Sequence, residues 1–155
     1  MGIGASTKET TLHHFRDPLL DVLSGDEDFD FLGIIIAGIP QDNQSKYFTG
    51  DRIGDWLCAM RADGAVVSTD SWGNSHIDFA HTMEAVGSRG IDVVGCSFVG
   101  TQAQFVVTNE YMDTIVDINK SAEGVETGVL GENSLSLRDA KKADALLKLK
   151  MRRHT

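Results

Sequence analysis

The sequence predicts an α/β fold, specifically a three-layer sandwich with a mainly parallel, Rossmann-like sheet. Apolar segments of strand length alternate with amphipathic segments of helix length over most of the 155 residues. The apolar segments lack the polar alternation of a half-exposed strand, which indicates strands covered on both faces. Short glycine-containing links join the segments, and such links favour right-handed βαβ units. We therefore expect residues 1–155 to form a single α/β domain.

The first two predicted elements are a helix and a strand. Apolar residues at helical spacing predict a helix over residues 11–24. Pro18 lies in the middle of this stretch, so we expect the regular helix to begin near Asp17. Residues 30–39 follow an acidic turn and are apolar almost throughout, which predicts a central strand of the sheet.

The middle of the chain predicts a helix, a strand and a second helix. The first of these helices begins at Thr49 or Asp51 and ends at Arg61, with its apolar residues on one face. The apolar stretch at 65–68 predicts a short buried strand. A helix over residues 75–88 follows a polar turn and ends near glycines that stop it.

The last third of the chain predicts two strands and two helices. Residues 91–98 indicate a third buried strand, and residues 103–107 a further one. A helix is expected at 110–119. The pattern after it is ambiguous, with one candidate strand around Val129. Helical spacing then predicts a final helix at about 135–152.

Charge is distributed unevenly along the chain. The net charge of −9 argues against a nucleic-acid partner. Residues 138–153 nevertheless hold seven of the 14 Lys and Arg and only two acids, so this stretch is +5 and the rest of the chain is −14. The basic helix can fold back onto the acidic body, dock on an acidic partner subunit, or remain a solvated amphipathic helix.

Compartment and membrane contact follow from the apolar segments and the cysteines. The longest apolar run, at residues 31–40, is too short to span a bilayer. The N-terminal residues have neither the basic start nor the apolar stretch of a signal peptide, so we expect a cytoplasmic protein with both thiols reduced. Cys58 and Cys96 form no metal-binding spacing, and the histidines and carboxylates form none either, so no metal site is predicted.

The most informative stretch for function is residues 63–78, where a strand ends in a polar turn and a helix begins at once. Ligands of open α/β sheets bind at the carboxyl ends of the strands. We therefore take the polar residues of this turn, with one residue of the next strand-end loop, as the candidate binding site: Asp70, Trp72, Asn74, His76, Asp78 and Thr101. The alternative is a well-capped turn with solvated polar groups, in which Asn74 or Ser75 caps the helix.

Two groups in this site suggest specific interactions. Asn74 and His76 would donate hydrogen bonds to a carboxylate or to a partner backbone, and the helix N-terminus at Ser75 would favour an anion. Cys96 lies where the strand at 91–98 meets its loop. If the two strand-end loops are neighbours, His76 could lower the pKa of the Cys96 thiol and make it a nucleophile. The alternative is a buried core cysteine, as Cys58 would also be on its helix.

The same stretch carries a family resemblance. Asp-Gly-Ala-Val-Val-Ser-Thr-Asp-Ser-Trp-Gly-Asn-Ser-His-Ile-Asp at 63–78, Thr-Met-Glu-Ala-Val at 82–86 and Gly-Ile-Asp-Val-Val-Gly-Cys-Ser-Phe at 90–98 resemble, in this order, the pyruvoyl-subunit family of clostridial amino-acid reductases. That family includes the component B proproteins of glycine, sarcosine and betaine reductases and the large proprotein of D-proline reductase. Three further segments resemble the proline-reductase branch: 2–18, 109–113 and 119–121.

The resemblance implies a particular chemistry. In the family, a proprotein splits itself ahead of a cysteine, which becomes a pyruvoyl group that captures the substrate amine as an iminium. A selenolate on a separate subunit then cleaves the C–N bond, and D-proline is opened to 5-aminovalerate. In this sequence the candidate cleavage points are Leu57–Cys58, within a predicted helix, and Gly95–Cys96, within a predicted core strand.

The resemblance therefore implies a component or accessory homologue of the D-proline reductase complex, similar to the small accessory protein of that system. No cofactor would be bound covalently by this chain, and the pyruvoyl group and selenocysteine would be carried by partner subunits in a homo- or hetero-oligomer. Two alternatives stay open. The chain can be a stand-alone domain that binds and senses D-proline or a related small acid, or it can act catalytically through the Cys96 thiol.

Overall fold

The computed structural model describes residues 17–69, 74–99, 105–125, 132 and 134–153. Within these ranges one parallel sheet has the strand order β1-β2-β3, formed by β1 (Gly64–Ser68), β2 (Asp92–Ser97) and β3 (Ile115–Asp117). The described helices are α1 (Pro18–Ser24), α2 (Asn43–Ala59), α3 (Ser75–Gly87) and α4 (Leu137–Met151), with a short 3₁₀ turn at Glu110–Met112. The predicted α/β class with a parallel sheet is confirmed.

The central strand β2 is covered on both faces. Val94 and Cys96 face the layer of α1 and α4, where they join a core with Val116 and Leu147. Val93, one residue out of phase, packs on the opposite face with residues of α3. Because successive side chains of a strand alternate between faces, each face of the sheet carries its own helical layer. The three predicted layers are therefore present.

The layer of α1 and α4 begins with well-formed caps. Asp17 accepts a hydrogen bond from the backbone N–H of Leu19 at 2.9 Å, and Pro18 occupies the first helical turn. α4 begins with a reciprocal capping box between Ser136 and Asp139. Both helices start close to where the sequence predicts.

The basic helix α4 folds back onto the acidic part of the chain. Lys148 forms ion pairs with Asp26 and with Asp28, the latter at 2.9 Å, and Lys150 donates a hydrogen bond to the Val93 carbonyl at 3.0 Å. The hydrogen bond from Lys148 is the main reason that the pKa of Asp26 lies below its usual value. Of the alternatives for this helix, the structure shows the intramolecular one.

Helices α2 and α3 pack closely because two glycines of α2 face α3. A Cβ atom at Gly54 would lie 2.7 Å from the carbonyl oxygen of Ala85, and a Cβ atom at Gly50 would lie equally close to a side chain of α3. Because glycine has no side chain, the two backbones can approach to this distance. One turn before Gly50, the same contact brings Lys46 of α2 against Asp78 of α3.

The predicted central strand at residues 30–39 is wrong. These residues have no regular secondary structure, and Ile34 and Ile36 are 59% and 76% exposed. The segment makes no hydrogen bond to the described parts of the chain and lies across a cleft from β1. An apolar run does not show whether a neighbouring strand supplies the hydrogen bonds that a parallel ladder needs, and here β1 does not supply them.

The prediction after β2 also needs correction. The stretch at 110–119 forms a 3₁₀ turn followed by β3 rather than a helix. Asn109 caps the short turn, and the β-branched residues at 114–116 favour a strand. Residues 105–107 form no strand, while the first two residues of that predicted strand and Val129 lie outside the described residues.

Helix α2 begins earlier than predicted. Its first residue is Asn43 rather than Thr49 or Asp51, because Asp42 accepts a hydrogen bond from the Ser45 N–H at 2.9 Å and so caps the helix. The earlier start places Lys46 within the helix instead of in a loop. Across the described ranges, no helix combines the length and apolar character needed to cross a bilayer.

Candidate functional site

The described part of the predicted site is the start of α3. Ser68 at the end of β1 is paired in register with Cys96, so the ends of β1 and β2 are neighbours, as expected. Asn74 is exposed at the N-cap position, but it has helical backbone angles and its side chain makes no capping hydrogen bond to the described residues. The cap predicted at this residue is therefore absent. Three other predicted site residues lie outside the described residues: Asp70, Trp72 and Thr101.

His76 is fully buried rather than presented to a ligand at the surface. Its ring lies 4.6 Å from the ring of Phe105, which in turn stacks on Phe79 at 5.7 Å. Neither ring nitrogen has a hydrogen-bond partner among the described residues. Burial lowers the pKa of His76 below its usual value of 6.5.

The depressed pKa of His76 predicts an acid-sensitive fold. Above pH 6.5 the imidazole is neutral in both states, so its contribution to stability is fully present there. As the pH falls below this value, the unfolded chain takes up a proton that the folded chain does not, and the free energy of unfolding decreases by up to about 1.4 kcal/mol per pH unit. We expect His76→Phe to lose this component of the pH dependence. Denaturant titrations at about pH 7.5 and pH 5.5 test this, and an identical pH dependence in both proteins would contradict it.

The charged centre of the site is an ion pair between Asp78 and Lys46. The Lys46 side chain is completely buried, and its ammonium donates a hydrogen bond to Oδ2 of Asp78, whose own side chain is 17% exposed. The second oxygen of Asp78, Oδ1, is buried and accepts no hydrogen bond from the described residues. Asp78 was predicted from the sequence as a site residue, and Lys46 was not.

The ion pair lies in the wall of a large cleft. The cleft has a volume of about 640 Å³ and is lined by the segment at 30–39 and by residues of β1 and of the four helices. Lys46 and Asp78 both line it, as do Phe79 and Thr69 at the end of β1. A volume of this size falls in the range of small-molecule sites. The cleft therefore combines room for a ligand, apolar walls and a buried pair of opposite charges.

Cys96 does not join this cleft. Its fully buried side chain belongs to the core on the α1 and α4 face, whereas α3, which carries His76, packs on the opposite face. The predicted pairing of His76 with the Cys96 thiol therefore does not occur, and the location matches the alternative of a core cysteine. A catalytic role for Cys96 stays a prediction. The other cysteine, Cys58, is exposed on α2 rather than packed in the core.

Lys46 could not be recognised from local sequence, because lysines are rarely buried and nothing in its segment indicates a partner. The one available signal is the Gly50-Asp-Arg-Ile-Gly54 spacing, which places two glycines on one face of α2 and indicates a close helix contact one turn beyond Lys46. No group of three or more potential metal ligands occurs within the described residues.

Comparison with known proteins identifies the family. The family of glycine/sarcosine/betaine reductase component B subunits matches residues 2–142. The D-proline reductase proprotein PrdA of Acetoanaerobium sticklandii is 44% identical over 146 residues, which cover 94% of this chain and 23% of that relative. This chain thus spans less than a quarter of the relative's length, and no solved structure matches it. The resemblance read from the sequence is confirmed: the chain belongs to the family of glycine/sarcosine/betaine reductase component B subunits.

Proposed function

We propose that this chain is a component or accessory homologue of the D-proline reductase complex and carries no pyruvoyl group of its own. The similarity to the D-proline reductase proprotein over 94% of the chain supports the link to that system. We infer the absence of a pyruvoyl group from the positions of the two cysteines. A pyruvoyl group of the family type requires cleavage of the peptide bond that precedes a cysteine.

Both candidate bonds lie inside regular elements. The Leu57–Cys58 bond is near the end of α2 but within its hydrogen-bonded turns, and the Gly95–Cys96 bond is in the middle of the central strand. Gly95 and Cys96 are each paired to both β1 and β3. Cleavage there would interrupt β2 between two residues that are paired on both sides. The chain would accordingly act with partner subunits that carry the pyruvoyl group and the selenocysteine.

The intact mass of the purified chain tests the absence of a pyruvoyl group. We expect one species near 16.8 kDa, unchanged by a reagent that traps carbonyl groups. Two fragments that sum to this mass, one of them trapped as a carbonyl adduct, would show self-cleavage at Cys58 or Cys96. The chain would then be a catalytic subunit in its own right.

Assembly with reductase subunits tests the component role. We expect the chain to co-elute with subunits of D-proline reductase and D-proline turnover to be unchanged by Cys96→Ala, because the thiol is part of the core. Loss of turnover in this variant with assembly intact would instead support the thiol role. Failure to associate with any of the subunits would contradict the component role itself.

The cleft favours a second candidate function, a stand-alone domain that binds D-proline or a related small acid and regulates without chemistry. A buried ammonium in the wall of a cleft of about 640 Å³ is suited to an anionic group. Saturable binding by the isolated chain would support this function. Binding that requires the partner subunits would support the component role.

A further inference from the structure

The ion pair in the cleft has unused hydrogen-bonding capacity of both signs. A lysine ammonium has three donors, and the Lys46 ammonium uses one of them, on Oδ2 of Asp78, among the described residues. On the other side of the pair, Oδ1 of Asp78 is buried and accepts nothing from the same residues. The pair therefore presents free donors next to a free acceptor.

Such an arrangement is unfavourable, because the protein supplies no partner for the free carboxylate oxygen among the described residues. A buried polar atom without a partner destabilises the fold, and a buried ion pair is often no more stable than two apolar side chains of similar size. A ligand that accepts from the ammonium and donates to the free carboxylate oxygen would remove this penalty. It must carry a negative and a positive group close together, because the two protein groups are joined by one hydrogen bond.

We propose that Lys46 and Asp78 form the binding site for the head group of an α-amino acid in its zwitterionic form. The ligand carboxylate accepts hydrogen bonds from the Lys46 ammonium, and the ligand ammonium donates to Oδ1 of Asp78. The four charges then alternate in sign, so each charge is next to two opposite ones. This assignment deepens the second candidate function, the small-molecule domain, and rests on it.

The lining around the pair indicates the rest of the ligand. Thr49 and Ile53 follow Lys46 along α2, and Phe79 and Thr82 follow Asp78 along α3. These side chains are apolar or carry a small hydroxyl, and none of them is charged. A short or cyclic uncharged side chain fits this environment, and the ring of proline is one such group.

The opposite wall of the cleft provides a route of access. The segment at 30–39 has no hydrogen bond to the described residues, so its displacement breaks no strand ladder. Lys46 and Oδ1 of Asp78 are shielded from solvent. The bound head group would therefore be sequestered from water, where charge-assisted hydrogen bonds are strongest.

Calorimetric titration of the full chain with three matched compounds tests the assignment without any substitution. D-Proline has both charges, cyclopentanecarboxylate has the ring and the carboxylate only, and pyrrolidine has the ring and the ammonium only. We expect saturable binding of D-proline and at least about tenfold weaker binding of each of the others, since each has lost one set of charge-assisted hydrogen bonds.

A double variant tests whether Lys46 and Asp78 form the binding site. Lys46→Met with Asp78→Leu removes both charges together and so avoids an unpaired buried charge, and we expect it to fold and to lose D-proline binding by at least about tenfold. The surface change Asp55→Asn is the matched control and should leave binding intact. Retained binding in the double variant would overturn the site.

The binding results with the three compounds distinguish a failure of this proposal from a failure of the small-molecule function on which it rests. Equal binding of D-proline and cyclopentanecarboxylate would overturn zwitterion recognition while leaving a domain that binds small acids. Binding of none of the three compounds would overturn both. Neither result bears on co-elution with the reductase subunits, which tests the component role independently.

Discussion

Replacement of Lys46 by methionine is expected to lower the free energy of unfolding by about 3–5 kcal/mol. Methionine has a similar length, so the change removes the charge with little loss of packing. The carboxylate of Asp78, largely buried and with one oxygen already unpartnered among the described residues, would then have no counter-charge. Denaturant unfolding followed by circular dichroism measures the effect.

Two companion variants make this result specific to the ion pair. Lys141→Met changes an exposed lysine of α4 in the same way and is expected to alter stability by less than about 0.5 kcal/mol. Adding Asp78→Leu to Lys46→Met should restore most of the lost stability, because two apolar side chains replace a buried ion pair at little net cost. A Lys46→Met protein as stable as the Lys141→Met protein would contradict the burial of this pair.

The elements that the sequence predicts best are those whose patterns leave few alternatives. β1, α3 and β2 form within one or two residues of their expected bounds. Both faces of β1 and of β2 are apolar. These strands can therefore be predicted without knowing which of their residues point to which face of the sheet. The capping residues before α1 and α4 form hydrogen bonds with residues close to them in sequence. The starts of these helices can therefore be predicted from the local sequence.

The segment at 30–39 shows that an apolar pattern alone does not predict strand pairing. Its composition is that of a central strand, but a strand is defined by hydrogen bonds to a neighbour, and composition carries no information on them. In the structure the segment has no regular secondary structure and lines the cleft, with Ile36 largely exposed. The prediction failed because an apolar stretch can cover a cleft as well as enter a sheet.

The site shows the same limit for side chains. Asp78 could be chosen from the sequence because it lies at the start of a helix after a strand end, where ligands bind in such folds. Its partner Lys46 lies 32 positions away and meets it only because Gly50 and Gly54 let α2 approach α3. The predicted pairing of His76 with Cys96 is wrong because it requires both side chains to lie on the same face of the sheet. Adjacent strand ends do not place two side chains on one face of the sheet.

Truncation of Phe98 to alanine is expected to have an effect as large as the loss of Lys46. Phe98 directly follows β2, is completely buried, and packs with Leu19, Val116 and Leu135 in the core on the α1 and α4 face. Removing the ring leaves a cavity, and we expect the free energy of unfolding to fall by about 3–5 kcal/mol. Phe48→Ala is the matched control, because Phe48 is 61% exposed and should change stability by less than about 0.5 kcal/mol.

The stabilities of Phe98→Ala and Phe48→Ala also test the argument against self-cleavage before Cys96. Self-cleavage before Cys96 would make Phe98 the third residue of a new N-terminus, where terminal residues are usually poorly ordered. If Phe98→Ala is severely destabilising and Phe48→Ala is not, the residues just after the candidate cleavage point are integral to the core, and a cut there would remove support that the fold requires. If the two variants are equally stable, the end of β2 contributes little, and the structural argument against a pyruvoyl group at Cys96 fails.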